Sequence, residues 1–211
     1  AASESTAING KWCPGPGKKF FDVLEAKLGK LPIIAEDLGV ITPKVAALRD
    51  NCGFAGMKVL QFAFDTNEYA NNKCVNQFLP HNYTTTNTVI YTGTHDNDTT
   101  EGWVQSLSQE AKKMVKDYLG ECMGIYIPDS HITPALLRMT LASTANIAII
   151  PLQDVWALDS TARMNTPSTC GGKNWAWRMS EEMLDSPLAI QKAAWLKSMN
   201  GLFARNLSLD E

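Results

Sequence analysis

The stretch Thr88-Val89-Ile90-Tyr91-Thr92-Gly93-Thr94-His95-Asp96-Asn97-Asp98 changes character halfway along. Its first five residues are all β-branched or aromatic, which predicts a strand over 88–92. The run shows no apolar–polar alternation, as expected of a strand buried on both faces in a parallel sheet. It leads directly into a cluster of polar residues instead of a short hairpin turn. A buried strand with a polar, titratable C-terminal end is the unit from which β/α active sites are built.

Three more runs repeat this pattern. Leu31 to Ala35 ends in Glu36-Asp37, Met57 to Phe62 is followed by Asp65, and Ile147 to Leu152 ends in Gln153-Asp154. Helical signals lie between and around them. Phe20, Leu24 and Leu28 fall at i, i+4, i+8, and Gly29 follows as a stop. Thr42-Pro43 reads as an N-cap with proline at N1, opening a helix to about Asn51. A helix is expected over Gln109 to Leu119, and another opened by Thr133-Pro134 and running through Leu136, Leu137 and Leu141. Ser186-Pro187 opens a last one, whose Leu188, Trp195, Met199, Leu202 and Phe203 suit a packing helix that closes the core. Four apolar strands alternating with helices predict an α/β fold with parallel strands, half of a (β/α)8 TIM-type barrel. A doubly wound open sheet is the competing architecture, but no glycine-rich phosphate loop supports it.

Composition excludes several classes. With 211 residues, 45% of them hydrophobic, the chain is long enough for one sizeable core. A net charge of −3 gives no footprint for nucleic acid. No run of 18 apolar residues occurs, so no membrane span is expected. The cysteines Cys13, Cys52, Cys74, Cys122 and Cys170 are odd in number, widely spaced and without a C-x-x-C pair. That points to a soluble protein of a reducing compartment, and neither they nor the scattered His81, His95 and His131 show metal-ligand spacing. The chain begins Ala1-Ala2-Ser3 without a Met, which marks it as a candidate fragment.

Two strand ends hold candidate chemistry. A carboxylate placed directly after a buried strand, as Glu36 is, suits general-acid work, since partial burial raises a carboxyl pKa. The competing reading is that Glu36 or Asp37 caps the following turn. In the second, His95 and Asp96 on the strand-end loop suit sugar hydroxyls, and the fixed charge of Asp96 suits a cationic sugar transition state. Against that, Asp and Asn are ordinary turn residues. Trp175 and Trp177, beside Asn174, suit a binding loop, whereas Trp103 and Trp195 suit packing.

The segments Phe20-Phe21, Ile34-Ala35-Glu36-Asp37-Leu38-Gly39 with Ile41-Thr42, and Leu79-Pro80-His81-Asn82 resemble the 4-alpha-glucanotransferases (amylomaltases, or disproportionating enzymes). So do Tyr91-Thr92-Gly93-Thr94-His95-Asp96-Asn97-Asp98-Thr99, Ala162-Arg163-Met164-Asn165-Thr166-Pro167, and Asn174-Trp175 with Trp177-Arg178. The likeness runs in the family's order from about Gly10 to Arg178. It implies the C-terminal half of the barrel, with residues 1–211 forming a partial catalytic domain of the last four β/α units plus a C-terminal helix. It implies Glu36 as acid/base, Asp96 as transition-state stabiliser, His95 and Asn165 as sugar contacts, and Asp65 as an acceptor-side contact. The implied partners are malto-oligosaccharides and other alpha-1,4-glucans, with no cofactor and no metal. The compartment is plastid for a plant-type enzyme and cytoplasmic otherwise.

There are two departures from the family pattern. The family's nucleophilic Asp lies in an Arg-x-Asp-His segment, and no such segment occurs here; Asp22 lies in a predicted helix. Ser168-Thr169-Cys170-Gly171-Gly172 stands where a glycine is expected soon after Pro167. The expectation is a retaining glucan transferase fragment without its nucleophile. An alpha-glucan hydrolase of the amylase kind and a non-catalytic glucan-binding half-barrel are the alternatives.

Overall fold

The computed structural model describes residues 3–39, 41–64 and 76–206. Contacts divide the chain into two units, Ala1–Ala55 and Gly56–Glu211.

In the first unit the helix α1 spans Lys18–Leu28. It ends at Gly29, whose φ of 77° is open to glycine and strained for other residues, and whose N–H returns to the Glu25 carbonyl at 2.8 Å. Phe21 stacks edge-on against Phe54, with ring centroids 4.9 Å apart. The helix α2 spans Pro43–Asn51, with extended Thr42 as N-cap and Pro43 at the first helical position, as the sequence predicts. The predicted strand Leu31 to Ala35 does not form. Only Ile34 makes an isolated parallel bridge, to Ala55, closed by the Ala35 N–H to the Ala55 carbonyl at 2.8 Å. Pro32 has no N–H to donate, and the Ile33 N–H turns back to the Leu31 carbonyl at 3.0 Å, which breaks the extended run. Leu31 and Ile34 accordingly stay exposed.

The second unit is built around a parallel sheet of β1 (Gly56–Val59), β2 (Thr88–Tyr91) and β3 (Ile147–Ile149), in the order β1-β2-β3. The register pairs Val59 with Tyr91 and Tyr91 with Ile149, so the C-terminal ends of the strands lie level. Val89 and Ile90 on the middle strand are fully buried, as a strand covered on both faces requires. The outer strands are shorter than predicted. β1 stops at Val59, and Leu60–Phe64 coil into a 3-10 turn that buries Leu60, Ala63 and Phe64. β3 stops at Ile149, and Pro151 is the N-cap of a short helix over Leu152–Val155. An imide nitrogen cannot continue a ladder.

Among the described residues the unit's helices are α3 (Thr100–Ser106), α4 (Gln109–Leu119), α5 (Ile132–Ala142), α6 (Leu152–Val155) and α7 (Pro187–Leu202). α3 is not predicted by apolar periodicity. It is held by its cap, Thr99, whose side chain accepts the Gly102 N–H at 3.1 Å. Gly102 has a packing reason: a Cβ there would collide with Ser160 Oγ and sit 2.8 Å from the Ser160 nitrogen. α5 supplies Ile132, Leu136, Leu137 and Leu141 to the core. It begins one residue before Thr133, which is not its cap; Thr133 Oγ1 instead donates to Glu101 Oε2 at 2.6 Å. α7 starts at its predicted cap, Ser186, and none of its residues is fully buried, although Trp195 and Met199 are half-buried. Leu188, Ile190 and Leu202 remain exposed. Just beyond it, Arg205 donates to the carbonyl of Leu141, in the last turn of α5, and to those of Ser143 and Ala145 that follow the helix.

Candidate active site

The residues from Gly93 to Thr99 leave the C-terminal end of β2, and their polar side chains shape the loop before anything else touches it. Asn97 Oδ1 accepts both the N–H and the hydroxyl of Thr94 at 2.9 Å, and the Asn97 N–H returns to the Thr94 carbonyl at 3.1 Å. This is the turn chemistry of Asn, and it presents His95 and Asp96 at the tip.

Both ends of the loop are tied to one carboxylate. Asp154, in α6, accepts the Thr92 hydroxyl from the β2 end, and the N–H and hydroxyl of Thr100 at 2.7 and 2.8 Å. Asp154 is 2% exposed. Burial pushes its carboxyl above the ordinary carboxylate range, and nearby Asp98 adds to the push; the three hydrogen bonds work against it. Thr100 N is the first helical N–H of α3, so the carboxylate also meets the positive end of that helix. Asp98 is similarly occupied, accepting Ser160 Oγ at 2.6 Å and the Thr99 N–H at 2.8 Å. Both Asp154 and Asp98 are therefore structural anchors. Their polar type is legible in the sequence, but their pairing is not, since the partners lie 54 to 62 residues away.

Asp96 is different. Its side chain is 51% exposed, and one of its oxygens, Oδ1, accepts Asn165 Nδ2 at 2.7 Å. His95 Nε2 lies 3.5 Å from the same oxygen, too far for a strong hydrogen bond. The Asn165 N–H donates to the His95 carbonyl at 3.1 Å. Arg163, which composition and spacing do not single out, stitches the two loops together. Its Nη2 donates to the Asp96 carbonyl and its Nε to the Asn165 carbonyl, each at 2.7 Å. Three of the predicted site residues, His95, Asp96 and Asn165, thus form one cluster.

A cleft of about 220 Å³ opens beside this cluster, lined by His95, Asn97, Gln153, Arg163, Met164 and Trp175, among others. Asp96 itself stands outside that lining. Trp175 stacks at a tilt of 42° on His95, with centroids 5.0 Å apart. Its φ is 60°, a left-handed conformation that costs a bulky residue about 1–3 kcal/mol.

In the first unit Glu36 is exposed, so the partial burial expected of it is not found. Its neighbour Asp37 takes the structural role: Arg49 donates to its carboxylate, linking α2 to the segment that precedes it. Among the described residues nothing bonds the Glu36 carboxylate, which leaves it free for other work. Asp65 lies outside the described residues.

Comparison with known proteins agrees with the motifs. A family model described as 4-alpha-glucanotransferase matches residues 1–184. The 4-alpha-glucanotransferase of Synechocystis sp. is 50% identical over 187 residues, covering 88% of this chain and 35% of that protein. That of Thermus thermophilus is 44% identical over 199 residues, covering 94% of this chain and 38% of that protein. Among solved structures, the amylomaltase from Streptococcus agalactiae in complex with acarbose superposes with a TM-score of 0.82 at 37% identity. The match covers 97% of this chain and 38% of that one. The chain therefore spans about a third of the length of the relatives it matches.

Proposed function

Because the chain belongs to the 4-alpha-glucanotransferase family, we propose that it supplies the acid/base and the transition-state stabiliser of a retaining transfer between alpha-1,4-glucans. The observation that carries the reading is Asp96: a half-exposed carboxylate held on one oxygen by Asn165, with His95 alongside. Held this way, Oδ1 is fixed and Oδ2 is left for sugar hydroxyls.

In this reading Glu36 protonates the oxygen of the donor's glycosidic bond as that bond breaks. A nucleophilic Asp from a segment outside this sequence takes the glucosyl carbon and forms a covalent ester. Asp96 lowers the energy of the cationic sugar on the way in and out, through a negative charge that is already oriented. Glu36, now ionised, takes the proton of an acceptor's 4-hydroxyl, whose oxygen displaces the ester; this frees the nucleophilic carboxylate and leaves Glu36 protonated for the next cycle. Carboxylates carry every step. Donors and acceptors are malto-oligosaccharides and related alpha-1,4-glucans, with Asp65 as an acceptor-side contact.

The architecture we assign is part of a (β/α)8 barrel, with residues 1–211 holding the last four β/α units, the first of them reduced to the Ile34–Ala55 bridge, and a C-terminal helix. Parallel strands paired in sequence order, β1-β2-β3, support it, since doubly wound sheets reverse order at a switch point. Among the described residues no helix is long and apolar enough to cross a membrane. The cysteine pattern favours a reducing compartment, plastid for a plant source and cytoplasmic for a bacterial one.

The test is maltotriose with the complete enzyme and its Glu36→Gln variant. Glucose plus longer glucans marks transfer; glucose and maltose alone mark an amylase-type hydrolase. The variant is expected to bind glucan and lose about 10²–10⁴-fold in turnover, since an amide cannot protonate the leaving oxygen. Near-normal turnover removes Glu36 from the mechanism. The 211-residue chain by itself is expected to do neither reaction, and robust glucose release from it would place the nucleophile within this sequence.

A further inference from the structure

Trp175 is costly to hold where it is. A large aromatic side chain at φ 60° pays a steric penalty, and here it gains no burial in return, remaining 54% exposed. Yet the loop around it is firmly braced. The Trp175 N–H donates to the Met164 carbonyl at 2.7 Å. Its carbonyl accepts Arg178 Nη1 at 3.0 Å. Next to it, Asn174 Oδ1 accepts the Thr166 N–H at 3.0 Å and Asn174 Nδ2 donates to Thr169 Oγ1 at 2.8 Å. A strained, exposed, well-braced aromatic is the reverse of a core residue. Such strain persists where the surrounding structure has a use for the side chain's direction.

The ring borders the cleft that His95 also lines, next to the carboxylate cluster. At about 220 Å³ the cleft is below the ~300–1,000 Å³ of pockets for drug-sized ligands, a size that matches a single sugar ring. Its wall combines an aromatic face with Met164 and the polar groups of Asn97, Gln153 and Arg163. A pyranose has the matching chemistry, with an apolar C–H face and a rim of hydroxyls. We propose that Trp175 is a carbohydrate-stacking platform: one glucose unit of the glucan seats its C–H face on the indole, in the cleft shared with His95. The platform contributes binding and takes no part in proton or bond transfer. The inference rests on the glucan-transfer reading for the identity of the sugar.

The experiment compares wild-type complete enzyme with Trp175→Ala and Trp175→Phe, using maltotriose for both kinetics and calorimetric binding. Trp175→Ala is expected to raise KM and Kd about tenfold with a small change in kcat, a loss typical of one aromatic contact. Trp175→Phe, which keeps an aromatic face, is expected to recover most of that loss. Unchanged KM and Kd in Trp175→Ala overturn the platform. So does a fall in kcat at constant KM that Trp175→Phe restores, because Trp175 would then only orient His95. A misfolded Trp175→Ala is detected by circular dichroism, and Trp175→Phe then carries the comparison: binding as weak as with no aromatic overturns the platform, and binding near wild type supports it. A wild type that binds maltotriose through Trp175 without disproportionating it overturns the transfer reading and leaves the platform standing.

Discussion

Asn165 donates its side-chain amide to Oδ1 of Asp96 at 2.7 Å, across 69 residues of sequence. A hydrogen bond to a charged group is worth about 1.5–3 kcal/mol, more than a neutral pair. Replacing Asn165 with Leu removes the donor and frees the Asp96 carboxylate to turn. In the complete enzyme, on the proposed reading, turnover of maltotriose is expected to fall roughly 10- to 100-fold, the kinetic equivalent of that energy. Asn165→Asp is expected to be worse than Asn165→Leu, because two carboxylates then sit at hydrogen-bond distance. Steady-state kinetics on the two variants rank them; equal activity of Asn165→Asp and wild type excludes this role for the amide.

Asp154 gives a prediction about stability and pH. Burial raises its folded pKa above the ordinary 3.8, so the folded protein holds this proton more tightly than the unfolded chain. The group's stabilising contribution is fully present below 3.8 and is lost as pH climbs through the raised value. Asp154→Asn does not titrate, so its unfolding midpoint in urea should gain on wild type as the buffer moves from acidic to neutral. A gap that does not change with pH excludes Asp154 as the titrating group. Asp154→Ala is expected to lose at every pH, since it strands the buried N–H of Thr100 and hydroxyl of Thr92 at about 1–3 kcal/mol per unpaired group.

Gly102 reverses a familiar rule. Gly→Ala inside an exposed helix gains about 1 kcal/mol from propensity. Here the new methyl collides with Ser160 Oγ and meets the Ser160 backbone nitrogen at 2.8 Å. Overpacking of this kind costs about 1–3 kcal/mol, so Gly102→Ala should destabilise. Adding Ser160→Ala relieves the hydroxyl clash and not the backbone one, while also taking a donor from Asp98. Denaturant midpoints for the single and double variants check both steps, and a Gly102→Ala protein more stable than wild type refutes the clash.

What could be read in the sequence follows the range of the interactions. Caps and breakers act within a turn, so Thr42, Ser186 and Gly29 placed helix ends correctly. The middle strand was readable because burial on both faces leaves a continuous apolar run. Leu31 to Ala35 carries the same apolar signal and forms only a bridge, because apolarity says nothing about Pro32 or about which neighbour donates hydrogen bonds. α3 was missed because its stability comes from Thr99 and from packing at Gly102, neither of which has a period. At the site, His95, Asp96 and Asn165 were named from motifs, whereas Arg163 and Asp154 were not given roles. Those two act on carbonyls and hydroxyls that are brought to them only by the folded chain.

The tether at Asp154 also sets a timetable. A chain made from its N-terminus presents Asp96 while the groups that hold it do not yet exist. The anchor for the base of its loop arrives with residue 154, and the amide that orients its carboxylate with residue 165. During synthesis the loop therefore has only its own Asn97–Thr94 turn for at least that interval, and a ribosome stalled before residue 154 displays Asp96 without its setting. The orientation of the Asp96 carboxylate is thus acquired only after a further 69 residues have been joined.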